Sequence, residues 1–160
     1  MEDLFSVCGE IRLRKGEGRT LKAGGAWVYD NEIEWMSDGI IDGHLVKVLD
    51  FDDYFMGIGF INRKSKITVR MLTRYTDVVD EAFIEKRVRA AVEYRFDTVD
   101  TSACRLIFGE ADFLPGLVID KYSDVLVVES LALGIDRFKS LIVEKMKEIL
   151  HEKGIDIRGV

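Results

Sequence analysis

Glycine divides this chain in two. Nine of its 14 glycines fall within the first 60 residues. Glycine punctuates turns, so the first half is built from short segments joined by tight reversals. His44–Leu49, Tyr54–Ile61 and Lys66–Leu72 read as its best strands. In the last of these, Ile67, Val69 and Met71 alternate with Thr68 and Arg70, a period of two. Several short strands within about 70 residues predict a small β-barrel.

The second half has a different rhythm. Asp77, with Asp80 three positions on, reads as a helix N-cap in a variant of the capping box. The run to about residue 95 carries Ile84, Val88, Ala91 and Val92 at helical spacing, with Glu85 and Arg89 as an i,i+4 pair. Cys104–Gly109, Gly116–Tyr122 and Val125–Leu131 read as strands, the last two joined by a Ser123-Asp124 turn. Ile135–Lys153 is a strongly amphipathic helix, with Phe138, Leu141, Ile142, Met146, Ile149 and Leu150 on one face and Gly154 placed to end it. Ile155–Val160 begins to alternate again. The fold class expected is therefore mixed: a β-rich barrel over residues 1–75, then a helix and a small α+β unit over 76–160.

Charge follows the same division. Residues 1–76 hold 11 Lys+Arg against 12 Asp+Glu, whereas residues 77–160 hold 12 against 17, so the net −6 of the chain lies almost wholly in the second half. The near-neutral first half carries two basic clusters. One is Arg12, Arg14, Lys15, Arg19 and Lys22, interrupted only by Glu17; the other is Arg63, Lys64, Lys66, Arg70 and Arg74 with no acid between them. Local runs of this kind matter more for polyanion binding than whole-chain charge. The alternative is two solvated faces.

Several function classes are excluded or poorly supported. The longest stretch free of charged and small polar residues, Tyr54–Ile61, is far shorter than the roughly 20 residues of a membrane helix. The acidic start Met1-Glu2-Asp3 has no apolar run behind it, unlike a secretory leader. The expected compartment is the cytoplasm. Two cysteines, Cys8 and Cys104, and two histidines, His44 and His151, make neither a disulfide framework nor a four-ligand zinc site, and no metal site is expected. Both cysteines read as small buried apolar residues. There is no G-x-S-x-G elbow, and no catalytic residue is expected. Lys15–Arg19 and Met56–Phe60 each contain G-x-G without the third glycine of a nucleotide loop, so these glycines read as turn or bulge residues. Glu110, Asp112 and Asp120 form the one acidic cluster of note; paired carboxylates can bind metal or move protons, but the Leu114-Pro115-Gly116 turn lies between them and a structural turn between strands is the favoured reading.

The aromatic residues are more informative. Trp27 and Tyr29 follow the first basic cluster, and Tyr54, Phe55 and Phe60 precede the second. Unpaired RNA is held by this pairing of chemistries, with phosphates on Lys and Arg and bases on rings. Taken singly, Trp27 and Phe60 read just as well as barrel core.

Three stretches resemble a known family. Lys15-Gly16-x-Gly18-Arg19 to Gly24-x-x-Trp27-Val28-Tyr29 and Glu32-Ile33 is similar to the opening of a PUA domain, the small RNA-binding barrel of pseudouridine synthases and archaeosine transglycosylases. Gly57-x-Gly59-Phe60-x-Asn62-x-x-Ser65-x-Ile67-x-Val69-Arg70 matches that family's strand pair. Arg105-Leu106-Ile107-x-Gly109-Glu110-Ala111-Asp112-x-Leu114-Pro115-Gly116-Leu117-Val118-Ile119-Asp120-Lys121-Tyr122 closely resembles the signature of the middle domain in class I S-adenosylmethionine-dependent methyltransferases that act on cytosine C5 of large-subunit rRNA. Gly25-Ala26 stand where the family often has His-Pro.

The resemblance implies a PUA-type β-barrel followed by a mixed α/β linker domain, with the catalytic domain absent from these 160 residues. The expected role is RNA recognition for the parent methyltransferase, and the expected partner is RNA, in particular large-subunit rRNA. A homodimer is compatible with this reading, and no membrane partner is expected. No cofactor is expected in this chain. In a full-length protein of about 390 residues, the present chain plus a large single domain, the missing domain would bind S-adenosylmethionine, and its cysteine thiolate would attack cytosine C6 while C5 takes the methyl group. Cys8 and Cys104 do not inherit that role. The RNA-contacting residues expected are Lys15, Arg19, Arg63, Lys64, Lys66 and Arg70. Two rivals stand beside this reading: a stand-alone RNA-binding adaptor, and a protein-interaction or dimerisation module.

Overall fold

The structure, a computed structural model, describes residues 3–76 and 78–160. The chain divides into two compact units between Val79 and Asp80.

The first unit is a curled mixed sheet, a half-barrel of six strands: β1 Val7–Leu13, β2 Trp27–Tyr29, β3 Ile33–Met36, β4 Leu45–Leu49, β5 Phe55–Ile61 and β6 Ile67–Met71. Their spatial order is β2-β6-β5-β4-β1-β3. All pairs are antiparallel except β1 with β4. A one-turn helix, α1 Arg19–Lys22, lies between β1 and β2. Ile11, Leu13, Val28, Val46, Val48, Ile61, Val69 and Met71 fill the concave interior, with Leu21 and Ile40 closing it. Each of these strands contributes alternate residues to that interior because side chains on a strand point to opposite faces in turn.

β5 departs from this alternation, being buried along both faces. Its glycines are strand residues rather than turn residues, and neither belongs to a phosphate loop. A Cβ on Gly59 would sit 2.6 Å from the carbonyl oxygen of Arg70, and one on Gly57, whose φ is +145°, would collide with the carbonyl of Thr73. The two glycines let the β6 segment close over β5. Thr73 secures the approach, its Oγ1 accepting the Ile58 N–H at 2.9 Å and donating to the Thr76 carbonyl at 2.6 Å. Gly57 also lies where the β4–β5 register shifts, so the bulge expectation holds there and fails at Gly59. Thr68, which alternates with Ile67, Val69 and Met71 along β6, is also buried.

The second unit is an antiparallel meander, β7 Ala103–Phe108, β8 Leu117–Tyr122 and β9 Val125–Ser130, in the order β7-β8-β9. Two helices, α2 Glu81–Thr98 and α3 Leu133–Glu152, pack on each other, α2 against β7 and α3 against β9. The anticipated strands, the Ser123 turn (φ +56°) and the apolar faces of both helices are present. Glu85 and Arg89 pair at 3.0 Å, and Arg89 also reaches Glu152 of α3 at 2.6 Å. α3 stops as anticipated: Gly154 at φ +78° donates to His151, and Ile155 donates back to Leu150.

The helix start differs from the expectation. Asp80, in extended conformation, is the N-cap and its carboxylate accepts the Phe83 N–H at 2.7 Å. Asp77 lies outside the described residues. The 155–160 tail makes a single parallel bridge, Gly159 to Val125, rather than a strand.

Candidate nucleic-acid interface

β2 is an edge strand of only three residues, and alternation decides what each does. Val28 is fully buried, whereas Trp27 and Tyr29, on the opposite face, are 37% and 41% exposed. Their rings meet edge to face at 6.5 Å. Across the ladder, Trp27 stands opposite Arg70 on β6, and the guanidinium lies over the indole at 5.4 Å from its centroid. A cation held over an indole is attracted by the ring's negative face, so Arg70 is positioned where it can reach a phosphate beside a base stacked on this surface. Phe60, by contrast, is barrel core at 3% exposure. The single-residue ambiguity between core and surface therefore resolves in opposite directions for the two rings.

The expected basic residues fall at two ends of the sheet. Arg63, Lys64 and Lys66 occupy the β5–β6 turn, beside the β2 end that carries Tyr29; the Asp30 N–H donates to the Lys66 carbonyl at 3.0 Å. Because β1 runs parallel to β4 and β4 antiparallel to β5, Arg14, Lys15 and Arg19 leave β1 at the opposite end. The Trp27–Tyr29–Arg70 face lies on the strand pair that runs between these two ends. Five of the six residues thus form two groups at opposite ends, and the sixth, Arg70, lies on the aromatic strip between them.

Their charges are not equally available. Lys15, Arg19, Lys64 and Lys66 are exposed and make no ion pair among the described residues. Arg63 is tied to Asp42, its Nε at 3.0 Å from a carboxylate that also accepts the Arg63 backbone N–H at 2.8 Å. These bonds hold the Asp42 carboxyl below its usual range. The acid missing from the local sequence is thus supplied from 21 residues away.

Two other members of the basic clusters are structural. Arg74 turns inward and donates to the carbonyls of Leu21, Gly24 and Gly25 at 3.0, 2.6 and 2.7 Å, fixing the loop that leads into Trp27. Lys22 pairs with buried Asp50 at 3.2 Å.

Two members of the acidic cluster of the second unit, Asp112 and Asp120, are engaged in ion pairs. Asp112 receives both guanidinium nitrogens of Arg95 at 2.6 and 2.7 Å and the Phe108 N–H at 2.7 Å. Asp120 receives Arg105 at 2.7 and 3.0 Å. No group of His, Cys, Asp and Glu able to hold a metal occurs among the described residues. The thiol of half-buried Cys104 is pushed up by burial, which opposes nucleophilic use. No helix among the described residues is long and apolar enough to cross a membrane.

Residues 11–74 match the family model for a PUA-like domain, so the half-barrel with its aromatic strip is a PUA-like domain. Over most of its length the chain is homologous to large-subunit rRNA methyltransferases. It is 32% identical to ribosomal RNA large subunit methyltransferase I of Shewanella frigidimarina over 85% of this chain and 36% of that protein. It is 30% identical to the same enzyme of Pseudoalteromonas atlantica over 93% of this chain and 39% of that protein. The chain thus spans a little over a third of the length of the curated relatives it matches. A solved structure described as a SAM-dependent methyltransferase from Streptococcus mutans shares the fold, with a TM-score of 0.74 at 16% identity over 89% of this chain and 38% of that one. A further methyltransferase structure, solved with SAH, aligns with the same score over 37% of its length.

Proposed function

We propose that this chain is the RNA-recognition region of an S-adenosylmethionine-dependent rRNA (cytosine-C5) methyltransferase, acting in the cytoplasm. The observation that carries the reading is the exposed Trp27, paired with Arg70 on the same residues that match the PUA-like domain. The names of the homologous enzymes support a large-subunit rRNA target.

In this proposal the first unit grips RNA. An unpaired base stacks on Trp27 or Tyr29, Arg70 takes an adjoining phosphate, and Lys64, Lys66 and Arg63 at one end and Lys15 and Arg19 at the other extend the phosphate track. In this reading the chain holds no S-adenosylmethionine itself: Gly57 and Gly59 are closed over by the β6 segment, and the Gly16-x-Gly18 loop after β1 leads only into the four-residue α1. Cofactor and chemistry are assigned to the remaining two thirds of a protein of the relatives' length, so the role of these residues is to hold and orient the substrate.

Fluorescence tests the assignment directly, because the chain has only two tryptophans, Trp27 and Trp35. In a Trp35→Phe protein, a loop-containing RNA is expected to quench Trp27. Trp27→Ala is expected to weaken binding by about 1–3 kcal/mol, the worth of one base stacked on an aromatic ring. Unquenched emission with unchanged affinity would refute the assignment.

A further inference from the structure

The two edge strands of the half-barrel carry the same device. At one edge, Trp27 of β2 lies under Arg70. At the other, Trp35 of β3 stands opposite Arg12 of β1, and the guanidinium lies over the indole at 5.4 Å from its centroid, the same separation as in the first pair. Trp35 is 43% exposed. The barrel core does not use it, and neither does the RNA track described above.

Strict alternation would not put this ring outside. Ile33 is buried, so a regular strand would turn Trp35 inward with it and Met36 outward. The ladder instead shifts register: Met36 pairs with Ile11 and Trp35 with Arg12, while Leu13 pairs with Ile33, which leaves Glu34 as the extra residue of a bulge. Ile11 and Leu13 are fully buried and Met36 packs against the same core, so Trp35 shares the outer face with Arg12. A bulge re-aims a side chain by giving up a ladder position. Here it presents an indole to solvent.

Arg12 is only loosely engaged. Its Nη1 is 3.4 Å from a carboxylate oxygen of Asp53, a side chain that is itself exposed, and its Nε has no hydrogen-bond partner among the described residues. An exposed ion pair of this length contributes little, so the guanidinium can take a phosphate while it covers the ring. The two indoles are also held in a fixed relation. β2 and β3 are consecutive, and the turn over Asp30–Glu32 that joins them is bonded on both flanks: the Asp30 N–H donates to the Lys66 carbonyl at 3.0 Å, and the Arg14 N–H donates to the Glu32 carbonyl at 2.8 Å. Lys66 on one flank, and Lys15 beside Arg14 on the other, are exposed cations along the path from one ring to the other.

We propose that Trp35, with Arg12 over it, is a second base-stacking platform, so that one unpaired RNA strand follows the bent β2–β3 ribbon with one base on Trp27 and another on Trp35. The proposal rests on the RNA-recognition reading and deepens it, since it assigns a second contact to a residue outside the basic clusters. Base stacking on an aromatic face is tolerant of sequence, so this platform adds grip without selecting a base.

The test uses the 160-residue chain and a single-stranded oligoadenylate. In a Trp27→Phe protein Trp35 is the sole tryptophan, and the RNA is expected to quench its emission. Trp35→Leu keeps apolar cover on the edge but removes the ring. It is expected to weaken binding about 5- to 100-fold, the worth of one stacked base, and Trp35→Phe is expected to recover most of that loss. Combined with Trp27→Ala, the two losses should multiply, as for separate contacts. The quenching measurement leaves Trp35 in place and so does not depend on how its variants fold. Trp35 emission that the RNA does not change, or an affinity that Trp35→Leu leaves unaltered, would overturn the proposal; Trp27 still quenched in the Trp35→Phe protein would then leave the first reading standing. If neither indole responds, the RNA-recognition reading itself fails and this one with it.

Discussion

Arg74 shows how far a residue's role can lie from its sequence neighbourhood. It belongs to a run of five cations, yet its guanidinium is spent on three carbonyls between Leu21 and Gly25, some 50 positions earlier. Hydrogen bonds to charged groups are worth roughly 1.5–3 kcal/mol. Arg74→Ala is therefore expected to lower stability in denaturant by about that much, and Arg74→Lys to recover only part of it, since an ammonium lacks the planar fork. Asp50 works similarly at the β4–β5 turn. Burial pushes its carboxyl up, but the N–H groups of Tyr54 and Asp52 and the Lys22 ammonium more than offset this, so the folded value lies below the ordinary 3.8. A carboxylate with a depressed value contributes stability that is full above its unfolded value and is lost as pH falls through the folded one. Unfolding at pH 7 and pH 3 should show a smaller acid-induced loss in Asp50→Asn than in the parent; an equal loss would remove Asp50 from the account. Neither role was legible in the sequence, because both depend on partners brought together by the sheet. The opposite fates of Trp27 and Phe60 were half legible: the Trp27-Val28-Tyr29 alternation holds the answer once Val28 is known to face inward.

At the scale of elements, the long ones were readable and the short ones were not. α3 and the β7–β8–β9 meander follow from apolar periodicity, which needs several repeats to be recognised. β2 and β3 have three and four residues and are separated only by a tight turn over Asp30–Glu32, in which Glu32 accepts the Tyr29 N–H. No periodicity can develop over so few positions, and pairing with β6 and β1 makes them strands. The Leu114-Pro115-Gly116 region reads as a structural turn, and the ion pair beside it gives the reason. Asp112, on the connection between β7 and β8, is the largely buried partner of Arg95 on α2, with side-chain exposures of 10% and 13%. Removing one member of a buried pair strands the other charge and costs about 3–5 kcal/mol. Asp112→Ala is expected to lose that much stability or to fail to fold, whereas the exposed Asp124→Ala, which removes the Arg158 pair, should change it by less than about 1 kcal/mol. Comparable losses from the two would contradict the structural role given to Asp112.

For the whole molecule, net charge is a poor guide and its distribution a better one. A chain of net −6 still presents exposed cations without an ion pair in the PUA-like domain, where Lys64 and Lys66 sit at one end of the half-barrel and Lys15 and Arg19 at the other. The curated relatives are more than twice as long as this chain, and the role proposed for these residues is RNA recognition alone. The measurement that bears most directly on this account is the salt dependence of RNA affinity. If about five phosphates are neutralised, log K for a single-stranded or loop-containing RNA falls against log salt with a slope of roughly −3.5. Replacing Lys64 and Lys66 by Ala should shift that slope by roughly 1.4, two phosphates' worth, while Arg63→Ala, whose guanidinium already serves Asp42, should shift it less. A slope near zero in the parent, or one unchanged by removing both lysines, would contradict the claim that this domain holds RNA.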